Sequence, residues 1–143
     1  MSLTNIFDVA GSGMNAQSVR LNTTASNIAN AESASSSTGD VYRGRHPVFQ
    51  TQMLNEMNGG INSPQGQSVG VEVTGIIESD APLQRRYEPD HPLSDEEGYV
   101  FYPNVNVVEE MTNMISASRA FQINVEMMNS AKQMVQRVLT LGQ

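Results

Sequence analysis

The sequence predicts a mainly α protein, with two long terminal helices paired as an antiparallel coiled-coil-like unit and a small β-rich insertion between them. Three observations carry that expectation. A long amphipathic pattern fills the end of the chain, a weaker one of the same period fills its start, and only the middle holds short alternating runs and turn-forming clusters. At 143 residues the chain has the size of one domain. Residues 1–31, 32–104 and 105–143 are therefore read as three parts of one unit.

The carboxy-terminal segment is expected to be helical from about Val105 to Leu141. Steps of three and four residues from Met111 reach Met114, Ser118, Phe121, Val125, Met128, Lys132, Val135 and Leu139, nearly all apolar. Ile115, Ala120, Ala131 and Val138 widen this seam, and Val108 extends the apolar character toward the helix start. Such a stripe is what a helix shows when one face lies against another long helix. At 1.5 Å per residue it spans about 55 Å. Asn106 is placed to cap the first turn with Glu109 three residues on, and Glu110 adds negative charge at the positive pole. Lys132 and Arg137 stand toward the negative pole, and Gly142 is available to end the helix.

Residues 3 to 31 give the second helix, with its stripe through Leu3, Phe7, Ala10, Met14, Gln17, Leu21, Thr24 and Ile28. The pattern is weaker here. Gly11 and Gly13 each cost about 1 kcal/mol relative to alanine, and Asn22, Thr23, Thr24, Ser26 and Asn27 are poor helix formers. Such a segment is marginal alone in water and needs contacts with other protein to hold it. The residues expected to carry helix packing and subunit contact are Leu3, Phe7, Ala10, Met14, Leu21 and Ile28 at the start. At the end they are Val108, Met111, Met114, Ile115, Phe121, Val125, Met128, Val135 and Leu139. Gly11, Ser12, Gly13, Ala16, Ala25, Ala29 and Ala31 are small enough to let a neighbouring helix approach closely.

Between the helices, Ser33 to Gly39 reads as a serine-rich hinge loop. Val41 to Leu54 reads as partly extended, with Pro47 confining it to an edge. Asn58 to Gly70 has the composition of a flexible loop. Val69, Val71 and Val73 alternate with smaller or polar residues in a strand running to about Ile77, and a second strand, Leu83 to Glu88, is expected to pair with it across Ser79–Pro82. Pro89 to Gly98 reads as an acidic turn, and Tyr99 to Tyr102 as a short extended piece leading into the last helix.

Charge and chemistry narrow the function. The formal net charge of −7 argues against a nucleic-acid partner, since phosphate binding needs a basic face. Asp8 and Arg20 cancel at the start; Glu109, Glu110 and Glu126 cancel Arg119, Lys132 and Arg137 at the end, so the whole −7 lies between Glu32 and Asn104. That partition suits terminal helices packed on protein on more than one side, with a charged middle in water. There is no cysteine, which removes disulfides and thiolate metal sites. His46 and His91 stand near acidic residues without any metal-ligand spacing, and no nucleophile elbow or phosphate-binding glycine loop is present. Neither catalysis, a cofactor nor a small-molecule substrate is expected. Arg43, Arg45, Arg85 and Arg86 are candidates to pair with the acidic turn of the same or an adjacent copy. The start lacks a basic stretch followed by an apolar core, so no cleaved secretory signal is expected. An alternative reading of the same pattern is a soluble helical-hairpin adaptor that binds one partner through its β element.

Two stretches resemble the signatures of the bacterial flagellar rod and hook axial proteins. At the start these are Phe7-Asp8-Val9-Ala10-Gly11-Ser12-Gly13-Met14-Asn15-Ala16-Gln17, Leu21-Asn22 and Ser26-Asn27-Ile28-Ala29-Asn30-Ala31. At the end they are Pro103-Asn104-Val105-Asn106-Val107-Val108-Glu109-Glu110-Met111, Ser116-Ala117-Ser118-Arg119-Ala120-Phe121-Gln122 and Asn124-Val125. Val41-Tyr42-Arg43, Pro47-Val48-Phe49, His91-Pro92 and Gly98-Tyr99-Val100 point, within that family, to the proximal rod. The serine run within Glu32–Asp40 departs from the family pattern. The resemblance implies a structural subunit that is made in the cytoplasm and exported without a cleaved signal by the flagellar type III apparatus. It would assemble in the rod of the basal body across the periplasm. The implied partners are copies of the chain, other proximal and distal rod proteins, and membrane-ring and rod-junction proteins. In that family the terminal helices pair and line an inner tube while the middle lies outside.

Overall fold

Asn106 begins the longest element. Its Oδ1 accepts the backbone N–H of Val108 at 3.1 Å and of Glu109 at 3.4 Å, so the α-helix α2 runs Val107–Leu141, two residues later than the apolar pattern suggested. The computed structural model describes residues 3–54 and 68–141. The helix α1 spans Leu3–Asn30 and lies beside α2. Gly13 faces Asn124, Arg20 bonds Asn113 and Asn27 bonds Glu110, so the two helices run in opposite directions.

The insertion is two separate ribbons. β1 (Arg45–Leu54) pairs antiparallel with β2 (Ser68–Glu78), from Arg45 opposite Glu78 to Leu54 opposite Ser68, with a bulge between Val48 and Phe49. Pro47 is tolerated there because each strand of a two-stranded ribbon has an open edge. This ribbon lies along α1: Arg45 N–H bonds Asn27 near one end, and Val71 N–H bonds Ser12 Oγ at 3.1 Å toward the other. β3 (Gln84–Tyr87) pairs antiparallel with β4 (Tyr99–Tyr102).

The expected pairing of the Leu83–Glu88 strand with the valine strand is therefore wrong. The Asn104 side chain explains the exchange. Its Nδ2 donates to the carbonyls of Ser79 at 3.1 Å and Ala81 at 2.8 Å, which holds the segment after β2 and carries the chain to a new partner. The expected loop Asn58–Gly70 is corrected where it is described, since residues 68–70 belong to β2; its remainder lies outside the described residues. Ser33–Gly39 is turn-rich, yet Ser35 is tied to β4 by reciprocal backbone bonds with Phe101 at 3.0 and 3.1 Å. In the acidic turn, Asp95 Oδ1 accepts the N–H groups of Glu97 and Tyr99, and Gly98 takes φ +81°, where a Cβ would stand 3.0 Å from the Tyr87 ring.

No helix among the described residues is long and apolar enough to cross a membrane. The same residues contain no cluster of three or more potential metal ligands.

Candidate assembly interface

The candidate surface is the helix pair, and a hydrogen-bonded network ties it together at the end where α1 finishes and α2 begins. Asn27 is 1% exposed and uses its whole hydrogen-bonding capacity. Its Nδ2 donates to the Arg45 carbonyl at 2.8 Å and to Glu110 Oε2 at 3.1 Å; its Oδ1 accepts Tyr42 O–H at 2.8 Å and Arg45 N–H at 2.9 Å. One side chain thus joins α1, the entry to β1 and the first turn of α2. Asn104 holds the preceding residue of the same segment, its Oδ1 accepting Gly44 N–H at 2.8 Å. Burial raises the Tyr42 hydroxyl pKa above its ordinary value; Arg45 opposes this, and Glu110 and Glu78 add to it. Tyr42 therefore stays a hydrogen-bond donor to Asn27 well into the alkaline range. Val41, Val100, Pro103 and Val105 are buried as well.

Away from that end, the buried residues of the two helices are small or polar. Ala10, Ala16, Ala117 and Ala131 are buried, with Thr23 and Thr24. A Cβ on Gly13 would stand 2.9 Å from Asn124 Nδ2, so glycine is what lets α2 come this close. Arg20 Nη2 donates to Asn113 Oδ1 at 2.9 Å. Thr23 returns its hydroxyl to the Val19 carbonyl, and Gln17 Oε1 is buried with no partner among the described residues.

Within the copy, the expected seam of α2 divides between half-buried and exposed positions. Met114, Phe121, Val125, Met128 and Val135 are half-buried, whereas Val108, Met111, Ile115 and Leu139 are exposed. The face turned inward at the start of α2 carries Glu110, Asn113 and Ala117, one residue away from the apolar line. On α1, Ala10 is buried, and Phe7, Met14, Leu21 and Ile28 are half-buried along the flank of the line that meets α2; the Leu3 side chain lies outside the described residues. Sequence reasoning missed Asn27, Asn104 and Glu110 as packing residues. It also missed Ile123, Met127 and Met134, which are exposed although large and apolar. Asn27 stands beside the helical stripe, next to Ile28, so the periodicity carried no signal for it.

The result is an inverted distribution. The largest fully buried side chains among the described residues are Val100, Asn27 and Pro103, while large apolar residues on α2 stand between 48% and 73% exposed. Monomeric proteins rarely leave contiguous apolar surface of this kind in water.

Within the copy, the arginines do not pair with the acidic turn among the described residues. Arg85 stacks over Tyr99 at 4.4 Å and Arg86 over Tyr102 at 4.6 Å, while Arg43 donates to the Ser79 carbonyl. Arg45 pairs with Glu78 at 3.0 Å, an exposed contact of small energetic weight. The strands present arginine and tyrosine on diagonal positions, where guanidinium–ring contact is nearest at hand.

Both terminal segments match models of flagellar proteins. Residues 7–32 match the family described as flagella basal body rod protein, and residues 96–141 match the carboxy-terminal family of flagellar basal body rod FlgEFG protein. Over its full length the chain is 49% identical to the flagellar basal-body rod protein FlgC of Escherichia coli O6:H1 over 143 residues, covering 100% of both chains. It belongs to the FlgC-type flagellar basal-body rod proteins. The FlgC of Salmonella typhimurium is 49% identical over 144 residues, again with 100% of both chains covered. That of Borreliella burgdorferi is 38% identical over 151 residues, covering 100% of this chain and 99% of its own. These relatives are named as structural proteins of the rod, and this rod protein is likewise a structural component and not an enzyme.

Proposed function

We propose that this rod protein is a subunit of the proximal rod that polymerises through its terminal helices into the shaft transmitting torque from the membrane ring to the hook. One observation carries the reading: the helix pair buries alanines, threonines and one asparagine within the copy and leaves methionine, isoleucine and valine outside. Side chains of that size each gain about 1.5–3 kcal/mol when fully buried, so the copy is incomplete without neighbours. The helices of residues 1–31 and 105–143 form a coiled-coil-like unit on the inner side of the tube, and residues 32–104 stand outside. Neutral helices stack copy on copy without mutual repulsion, and the charged middle stays in solvent. The contact is heterologous, since unlike surfaces repeated along a screw axis give an open tube whereas a two-fold contact closes on itself. Its neighbours are copies of the chain and other proteins of the rod, the ring and the rod junction, reached after uncleaved export through the type III apparatus across the periplasm.

The test is Ile115→Asp, at a position 56% exposed within the copy. The purified chain is expected to keep its helix content and its denaturation midpoint, while cells carrying it lose motility and the protein disappears from isolated basal bodies. Normal motility with normal incorporation would overturn the proposal.

A further inference from the structure

We propose that the outer ridge of α2 formed by Ile115, Arg119 and Ile123 docks on the exposed face of α1 in a second copy of this chain, with Arg119 meeting Asp8. This rests on the assembly reading above and adds the register of one contact. The three residues follow one another at intervals of four, drift only about 80° around the helix and are all exposed, which makes them a short ridge of the kind that fits the groove of a facing helix. A guanidinium in the middle of that ridge opposes docking on any apolar surface, because it loses water without gaining a partner. It needs a carboxylate opposite.

The exposed face of α1 supplies one. Asp8 and Arg20 are the only charges of α1. Arg20 is already bonded to Asn113 within the copy, while Asp8 is exposed and forms no ion pair among the described residues. Asn15, Asn22 and Ala29 follow Asp8 at sevenfold spacing, so one face of α1 offers a carboxylate at its start and short side chains beyond it. Arg119 and Asp8 cannot meet inside one copy. The contact of Gly13 with Asn124 sets Asp8 level with about Asn129, roughly 15 Å along the axis from Arg119. The pair forms only between copies. Because the ridge and the α1 face are unlike, the contact repeats from copy to copy without closing.

The absence of cysteine from the natural chain makes the test direct. Asp8→Cys and Arg119→Cys are placed together on one chain, basal bodies are isolated, and a short bismaleimide is added. A ladder of multiples of the chain on a denaturing gel is expected from the double variant, and none from either single variant. Monomer alone from incorporated double variant, a ladder from a single variant, or adducts only with a different protein would overturn the contact. In parallel, Asp8→Arg and Arg119→Asp are each expected to lower incorporation about fivefold, with recovery when both are present; no recovery in the doubly exchanged chain also overturns it. Absence of the unsubstituted chain from isolated rods is a separate result, which sinks the assembly reading itself.

Discussion

Where α1 ends and α2 begins, polar atoms are buried and each has a partner. Along the outer side of the same helices, large apolar side chains face water with none. Asn27 holds four hydrogen bonds at 1% exposure, whereas Val108, two residues before Asn27's partner Glu110 on α2, is 73% exposed. The first region specifies one conformation from within a single copy. The second gains its free energy only when another surface covers it. The proposed assembly through the terminal helices would be served by that division. A small polar latch fixes how the two ends of the chain meet, and the apolar surface is left for later.

The strongest way to break the comparison is at the latch. Asn27→Ala removes two donors and one acceptor and strands the Glu110 carboxylate and the Arg45 backbone in a buried place. A loss of about 3 kcal/mol or more is expected, since each unsatisfied buried group costs roughly 1–3 kcal/mol. Urea denaturation followed by circular dichroism measures it, and amide exchange at Arg45 should rise with it. A loss below 1 kcal/mol would mean that the network does not organise this end.

The next effect concerns the small-residue contact between the helices. Ala117 is fully buried, at 0% exposure, in the face that α2 turns toward α1. Ala117→Met drives a long side chain into a contact built for a methyl group and is expected to cost about 2 kcal/mol. The same methionine at an outward position, already occupied by Met111 or Met127, costs nothing. Thermal denaturation of the purified chain reads the difference.

Much of this architecture was legible in the sequence, and the failures have identifiable causes. Two terminal helices, the Asn106 cap, the valine strand and the short aromatic strand all follow from periodicity and turn chemistry, which are local. The strand partners are not local. Whether residues 84–87 pair backward with β2 or forward with β4 depends on Asn104 binding the carbonyls of Ser79 and Ala81, a contact between distant parts of the chain. The division of the α2 seam between half-buried and exposed positions has a different origin. Apolar periodicity marks surfaces that avoid water without saying whether the cover comes from the same copy. Met111 and Ile115 belong to that stripe and are left outside, while Glu110 is inside because Asn27 receives it. The family signature around Ser26-Asn27-Ile28 pointed to the right place but carried no statement of what Asn27 bonds.

The smallest expected effect has the opposite sign and sharpens the comparison most. Two glycines lie close together in α1 and only one of them is in contact within the copy. A Cβ on Gly13 meets Asn124 at 2.9 Å, while a Cβ on Gly11 meets nothing within 4 Å. Gly11→Ala should therefore stabilise the free chain by about 1 kcal/mol, the ordinary helical preference for alanine over glycine. Gly13→Ala should fall short of that gain, because Asn124 must move aside. Helix content and urea midpoints of the two variants measure both. If the open space above Gly11 belongs to the region completed by neighbours, Gly11→Ala will raise stability of the isolated chain and still lower its incorporation into rods. A methyl group that helps the single copy and harms the assembly would place Gly11 on the unfinished side of the boundary.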